Sequence, residues 1–430
     1  MVLLLSMAVL KLPSLYILPQ QKILFTTHTV TKIAIVVVFI LTIVSLNYKK
    51  DILNRSLVLK LLFISFILDT VSIINVTDLF LFIKAYHNII ISLLIFVLTI
   101  VYSSSTFVDK VNRYIKALVI IFIILELVMI FFPKAFLNIG VLVLQNEMYS
   151  ALDKNINRGR FQFESDFELF IPYIITLILF YKNKKRINSN YFILALCIFL
   201  SIFSRSRTRL LQLGFILISY FGYLLYKRGG ILISKFSKLL FITPMIIIFS
   251  LYISQTIYGT NTWNRILFNS QKEDVDTFTF RVNSILDSFK YGLNSLLGTG
   301  LGNYYTISYS TKPLSNISHL NQAELTYQKG GILSPHNIFA EKISEGGTIS
   351  FVLWIIILFT MLIRDLKLLT KKQKSNIKLT NFQYIISSWT VFVYFLFNPT
   401  NTVYITGWFW FFRGILEKEY INTQGSSSTV

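Results

Sequence analysis

Three short stretches of this chain carry residue types that could do chemistry. The first is Phe203-Ser204-Arg205-Ser206-Arg207-Thr208-Arg209, with three arginines in five residues. Guanidinium forks bind phosphate oxygens bidentately, and a helix beginning near Thr208 would add the positive end of its dipole. An anion site is the preferred reading; a simple turn, or a cluster bound to lipid headgroups, is the alternative. The second stretch opens at Arg281, after which Val282, Ile285, Leu286, Phe289 and Leu293 recur at helical spacing and Gly298-Thr299-Gly300-Leu301-Gly302 follows. That periodicity predicts an amphipathic helix lying on a bilayer or on a helical bundle. A glycine-rich turn can cradle a phosphate, but this one lacks the lysine of a nucleotide-binding loop, so a structural turn is expected. The third stretch runs from Ser334-Pro335-His336-Asn337 through Glu341 to Glu345-Gly346-Gly347, and it holds one of only four histidines in the chain. A histidine there could act as a general base near neutral pH or donate to an anion, with Glu341 and Glu345 within about three turns if the stretch is helical.

The elements that must position these residues are set by solvent. Of 430 residues, 54% are hydrophobic, and the mean hydropathy is +0.62. A water-soluble core cannot hide that much apolar surface. Apolar runs of the ~20 residues needed to cross hydrocarbon recur along nearly the whole chain. Runs such as 118–132 and 231–252 do not alternate, which excludes a β-barrel, and lipid leaves helices as the remaining solution. The expected fold is an all-α polytopic membrane protein with about 12 spans, 11 or 12 depending on the first. They fall near 3–19, 32–47, 57–75, 87–104, 114–133, 168–181, 190–204, 210–226, 236–256, 347–363, 383–397 and 402–416. Span 3–19 contains Lys11 and Pro13 and lacks the marks of a cleaved signal peptide, so it is read as a retained anchor. The chain then divides into spans one to nine (1–256), an external loop with the amphipathic helix (257–346), spans ten to twelve (347–416) and a cytoplasmic tail (417–430).

Orientation follows from lysine and arginine. Loops at 47–56, 104–113, 182–189, 227–238 and 364–381 hold 19 basic residues against three acidic ones, and these are expected to face the cytoplasm, together with both termini. The short opposite loops at 20–31, 76–86, 134–167, 205–209 and 398–401 hold nine basic and five acidic residues. Much of the net charge of +21 is therefore topological, and nucleic acid is not an expected partner. The turn Arg205 to Arg209 breaks the pattern, because it puts three arginines outside. The long segment 257–334 is also external and nearly neutral, with six basic and five acidic residues.

Asp69 and Glu126 fall in the outer halves of their spans, and intramembrane acids face either a cavity or a partner. They are candidate groove residues, with a buried ion pair or a protonated acid as the equal alternative. Tyr304 and Tyr305 could stack on sugar rings, and Trp408-Phe409-Trp410 reads as lipid-facing or interfacial anchors. The single Cys197 lies inside a span, and no spacing of Cys or His suggests a metal site.

The order of "FSRSRTRLL", then "FRVNSIL" before "GTGLG", then "PHNIFAEKISEGGTIS" resembles the O-antigen ligase and oligosaccharide repeat-unit polymerase superfamily. Ligases of that superfamily carry His-Asn, nine residues, a glycine, two residues and then Gly, Thr or Tyr. Here His336-Asn337 is followed by nine residues, Gly347, two more and Ser350, a departure that sets the ligase behind the polymerase. The motifs cover about 190–365, and the twelve-span layout extends the likeness over the chain.

The resemblance implies a bacterial inner-membrane glycosyltransferase whose active site faces outside. Its donor would be a glycan on a polyprenyl diphosphate of the undecaprenyl type, with no metal ion or other cofactor, and its product capsule, exopolysaccharide or O-antigen. It assigns Arg205, Arg207 and Arg281 to the diphosphate, with Arg209 as a less secure member of that set, and His336 to the acceptor. Glu341, Glu345, Asp69, Glu126 and Tyr304 would line the groove, and a flippase and a chain-length regulator are the implied partners. A different class, a lipid-linked sugar flippase, would instead place its charges in a central cavity between two related halves. The collection of unusual charges at one face and in one asymmetric loop favours the enzyme.

Overall fold

The computed structural model describes residues 27–44, 54–143, 187–203, 206–227, 272–304, 337–370, 375–397 and 403–425, with isolated positions 153, 156, 175, 176, 178, 179 and 335. Among the described residues every regular element is helical. They are α1 (Thr27–Val44), α2 (Leu57–Val71) with a 3-10 turn Ser72–Asn75, α3 (Leu79–Tyr102), α4 (Ser105–Phe131), α5 (Pro133–Val143) and α6 (Ile187–Phe203). There follow α7 (Arg207–Lys227), α8 (Lys272–Gly292), α9 (Ile338–Thr370), α10 (Ser375–Phe395) and α11 (Val403–Gly425). Three stretches, Leu57–Asn75, Leu79–Tyr102 and Ile338–Thr370, are long and apolar enough to cross a membrane.

Several helices outrun the spans that hydropathy suggests. α3 begins at Leu79 and α4 at Ser105, so most of the loops expected at 76–86 and 104–113 is helix. Lys84, His87, Lys110 and Arg113 interrupt the apolar pattern without interrupting the helix. The true starts are marked by caps, which satisfy amide groups that hydrocarbon cannot. Asp78 accepts from Leu81 N at 3.1 Å, and Ser104 Oγ accepts from Phe107 N at 3.2 Å. The expected spans 3–19 and 236–256, and most of 168–181, lie outside the described residues, so the count of twelve goes untested.

The chain divides into two compact units. One holds α4 to α7 and most of α10, with α6 packed between α4 and α7 around Val119, Ile123, Cys197 and Ile216. In the other, α3 runs along α11, and α9 packs against α2 and α8. An aromatic seam fills its interior: Phe96 meets Trp410 edge-on at 5.5 Å, Phe395 meets Phe409 at 5.7 Å, and Trp354 lies 6.0 Å from Trp410. Trp408, Phe409 and Trp410 are all buried, which corrects their reading as lipid-facing anchors. Hydropathy separates lipid from water, and it does not separate lipid from a neighbouring helix.

The α8 helix forms over the predicted stretch but docks by an unexpected face. Ser284, Ser288 and Gly292, spaced four apart, are its buried positions, whereas Leu286 is 61% exposed and Val282 and Leu293 are also exposed. Small residues let backbones approach where apolar contact has no advantage over lipid. A Cβ on Gly292 would lie 2.2 Å from the carbonyl oxygen of Ile343 on α9. Tyr304, expected to stack on sugar, is instead buried behind α8 and donates from its hydroxyl to Ser284 O at 3.2 Å. Burial pushes its phenol above the usual range, which keeps it a donor.

The glycine turn is structural. Thr299 N donates to Ser344 O and Gly300 N to Glu345 O, both at 2.9 Å. Asn303, fully buried, accepts from Thr77 Oγ1 at 3.0 Å and Asp78 N at 2.9 Å, stitching the turn to the start of α3. Gly298, Gly300 and Gly302 all have positive φ. Opposite them α9 is broken at Gly347, whose φ of 72° and ψ of −174° lie in a region open essentially to glycine alone. A Cβ there would also sit 2.3 Å from Leu296 O. Gly347→Ala should therefore lower stability by about 2–4 kcal/mol, strain and clash together, and should lower the melting temperature of the detergent-purified protein. Gly214→Ala on α7, where the added methyl meets nothing within 4 Å, is the matched control and should leave melting unchanged or slightly raised.

Candidate active site

The break at Gly347 makes a short leg of α9, residues 338–346, buried along almost its whole length. Asn337 starts it. Its Oδ1 accepts from Phe339 N at 2.9 Å and Ala340 N at 3.1 Å, while its Nδ2 donates to Leu396 O at 2.9 Å. Arg281, from α8, donates through Nη1 to Phe397 O at 3.3 Å. Two consecutive carbonyls past the end of α10 thus anchor Arg281 and the residue immediately following His336. His336 itself lies outside the described residues. Sequence separates these positions by more than fifty residues, and the fold brings their backbone neighbourhoods together.

The short leg carries charge into the interior. Glu341, Lys342 and Glu345 are all buried, as is Asp69 on α2. Lys342 Nζ lies 3.8 Å from Asp69 Oδ2 and 5.3 Å from the centre of the Trp354 ring. Both oxygens of Glu345 lack a hydrogen bond of ordinary geometry. Charges kept in hydrocarbon at such expense mark working sites by default. A cavity of about 80 Å³ opens beside them, lined by Asp69, Glu341 and Lys342 together with Asn88, Trp354 and Trp410. Asp69 and Glu341 thus line a cavity, and Glu345 lies within electrostatic reach of both.

Other expected members are placed differently. Arg205 lies outside the described residues, as does the side chain of Arg207, the first residue of α7. Arg209 is fully buried and grips Glu126 with both terminal nitrogens, at 3.2 and 3.0 Å. Its guanidinium and the Glu126 carboxylate thus hold each other, the buried-pair alternative for Glu126. The far end of α9 has a second charged network: Arg413 Nη1 donates to both oxygens of Asp365 at 2.8 Å, and Arg364 pairs with Glu417, which also accepts from Ser56 Oγ at 2.6 Å.

Sequence reasoning missed Lys342, Trp354 and Asn88. The signal for Lys342 was present, a lysine between two glutamates just ahead of a glycine pair and an apolar run. No grouping of His, Cys, Asp and Glu among the described residues could hold a metal ion.

A broken helix with buried carboxylates and a lysine is a feature that often lines substrate sites in membrane proteins. Residues 192–355 match the model of a protein family described as O-antigen ligase. The match spans the arginine turn, Arg281, the glycine turn and the His336 to Trp354 stretch, and it supports the O-antigen ligase and polymerase superfamily. It supports a glycosyltransferase-like activity on lipid-linked glycans in surface polysaccharide synthesis. No curated protein gives a significant match to the chain.

Proposed function

We propose that this protein is a repeat-unit polymerase of the bacterial inner membrane. It transfers a glycan from a polyprenyl diphosphate to the non-reducing end of a second lipid-linked repeat unit, at the outer face, for capsule, exopolysaccharide or O-antigen. The anchoring of Arg281 and Asn337 on consecutive carbonyls of Phe397 and Leu396 supports this reading most, because it ties the predicted cation to the same backbone turn as the residue that follows His336 in sequence.

The chemistry follows. An acceptor hydroxyl oxygen attacks the anomeric carbon and the bond from that carbon to the diphosphate oxygen breaks. The bonding pair leaves with the polyprenyl diphosphate, where Arg281 offsets the growing negative charge. His336 takes the hydroxyl proton. Arg205 and Arg207 stay with the diphosphate by resemblance. Holding donor and acceptor in line contributes as much as either residue.

A deletion strain tests the proposal through its surface polysaccharide on a gel. The expected result is loss of the long-chain ladder with a single repeat still attached. Full-length polymer stranded on its lipid carrier would assign a ligase instead, and an unchanged gel would overturn both enzymes.

A further inference from the structure

We infer that the cavity at the broken leg of α9 is a subsite for one uncharged sugar ring of the acceptor glycan, an inference that rests on the polymerase reading. Two residues that line it carry buried polar atoms without a hydrogen bond of ordinary geometry: Trp354 Nε1, a donor, and Asp69 Oδ1, an acceptor with Ser350 nearby. Asp69 turns its other oxygen to Lys342 at 3.8 Å, so Oδ1 is held in place. Sugar hydroxyls are donors and acceptors at once, so the hydroxyls of one ring suit both a bare indole N–H and a carboxylate oxygen.

The rest of the wall suits the ring itself. Phe66, Trp354, Phe395, Phe409 and Trp410 present aromatic surface to the cavity. The axial C–H bonds of a pyranose carry a slight positive charge that complements the negative faces of such rings. At about 80 Å³ the space is that of several waters or one ring, too small for a longer glycan. Charge rules out the donor's leaving group as the occupant. Asp69 and Glu341 line the cavity against the single cation Lys342, and Glu345 lies in the same field. A diphosphate would meet net repulsion there. The subsite thus lies on the acceptor side, and Asp69 and Trp354 become binding residues for the unit that receives the growing chain.

The test uses the full-length protein in lipid nanodiscs and single repeat units released from the cell's own surface polysaccharide, titrated by saturation-transfer NMR. Wild-type protein should bind the free repeat unit saturably, with the strongest transfer to one residue's ring protons. Trp354→Phe keeps the ring and removes the donor; Asp69→Asn keeps the shape and removes the charge. Each should weaken binding at least about tenfold, the worth of one buried hydrogen bond. Trp389→Phe, whose residue lies outside the cavity, should bind as wild type. Size-exclusion profiles matching wild type show that the variants are folded, and Trp354→Phe serves should Asp69→Asn fail to fold. Absence of glycan binding, or unchanged affinity in Trp354→Phe, overturns the subsite. So does a saturable signal from polyprenyl phosphate alone, which would make the cavity a lipid site. The deletion strain reads the polymerase proposal separately: a lost ladder with no glycan binding removes the subsite and leaves the enzyme. Glycan binding with an unchanged gel does the reverse.

Discussion

Arg281→Ala is expected to abolish the long-chain ladder while the protein stays in the membrane at wild-type level. The residue sits on α8 with its guanidinium tied to Phe397 O at 3.3 Å. On the proposed mechanism such a charge would hold the diphosphate and offset the further negative charge that grows as the bond breaks. Removing one such group lowers rates by roughly 10²–10³-fold. Arg281→Lys keeps the charge but loses the planar fork, so a partial ladder is expected. His336→Ala should be as severe, because loss of a positioned general base costs on the order of 10²–10⁴-fold. Membrane fractions probed by immunoblot show whether protein is present, and the gel shows whether product is. Normal ladders from both alanine variants would remove these residues from the site and leave the mechanism without its cation and its base.

Replacing one member of the Arg209–Glu126 pair should be the most damaging change to stability in the unit that holds it. Both side chains are buried, at 0% and 1% exposure, and bonded through two contacts. Removing either leaves an uncompensated charge in a low-dielectric interior, which costs about 3–5 kcal/mol. Arg209→Met and Glu126→Leu singly should therefore aggregate on mild heating in detergent, as read by fluorescence-detected size exclusion. The double variant should recover most of the loss, since an apolar pair of similar volume replaces a buried ion pair at little cost. Singles no worse than the double would show that the two charges are not coupled. The double variant also reads function: if it folds and still polymerises, Arg209 has no part in holding the diphosphate.

The parts of this protein legible in its sequence are those governed by contact with water. Helices at Leu57–Val71 and Ile187–Phe203 fall where apolar runs predict them, and the α8 helix forms where the periodicity after Arg281 indicates. The glycine turn was readable as structural because it lacks a phosphate-binding lysine. What escaped was contact between helices. Once a helix is in lipid, leucine and phenylalanine serve a lipid face and a packed interior equally well. Trp408 to Trp410 therefore looked like anchors and are core. On α8 the docking face is the serine and glycine stripe, flanked by Phe289 against Phe351, while Val282, Leu286 and Leu293 are exposed. Charged partners were equally hidden: Glu126 and Asp69 were visible as intramembrane acids, but Arg209 and Lys342 come from distant helices, and only the fold pairs them.

The paired charges at the far end of α9 bear on how the chain is made. Arg413 and Glu417 lie on α11, which emerges from the ribosome after α9, and their partners Asp365 and Arg364 lie on α9. An unpaired arginine in a membrane helix makes its insertion costlier, by up to about 2.5–3.5 kcal/mol at mid-span. Delivery of α9 before α11 means that each later charge finds its counterion already waiting, so α11 is received by its neighbour rather than by lipid. Chain order itself then works as an assembly device, and a truncated chain ending after α10 would leave Arg364 and Asp365 as the mark by which membrane quality control could recognise an unfinished protein.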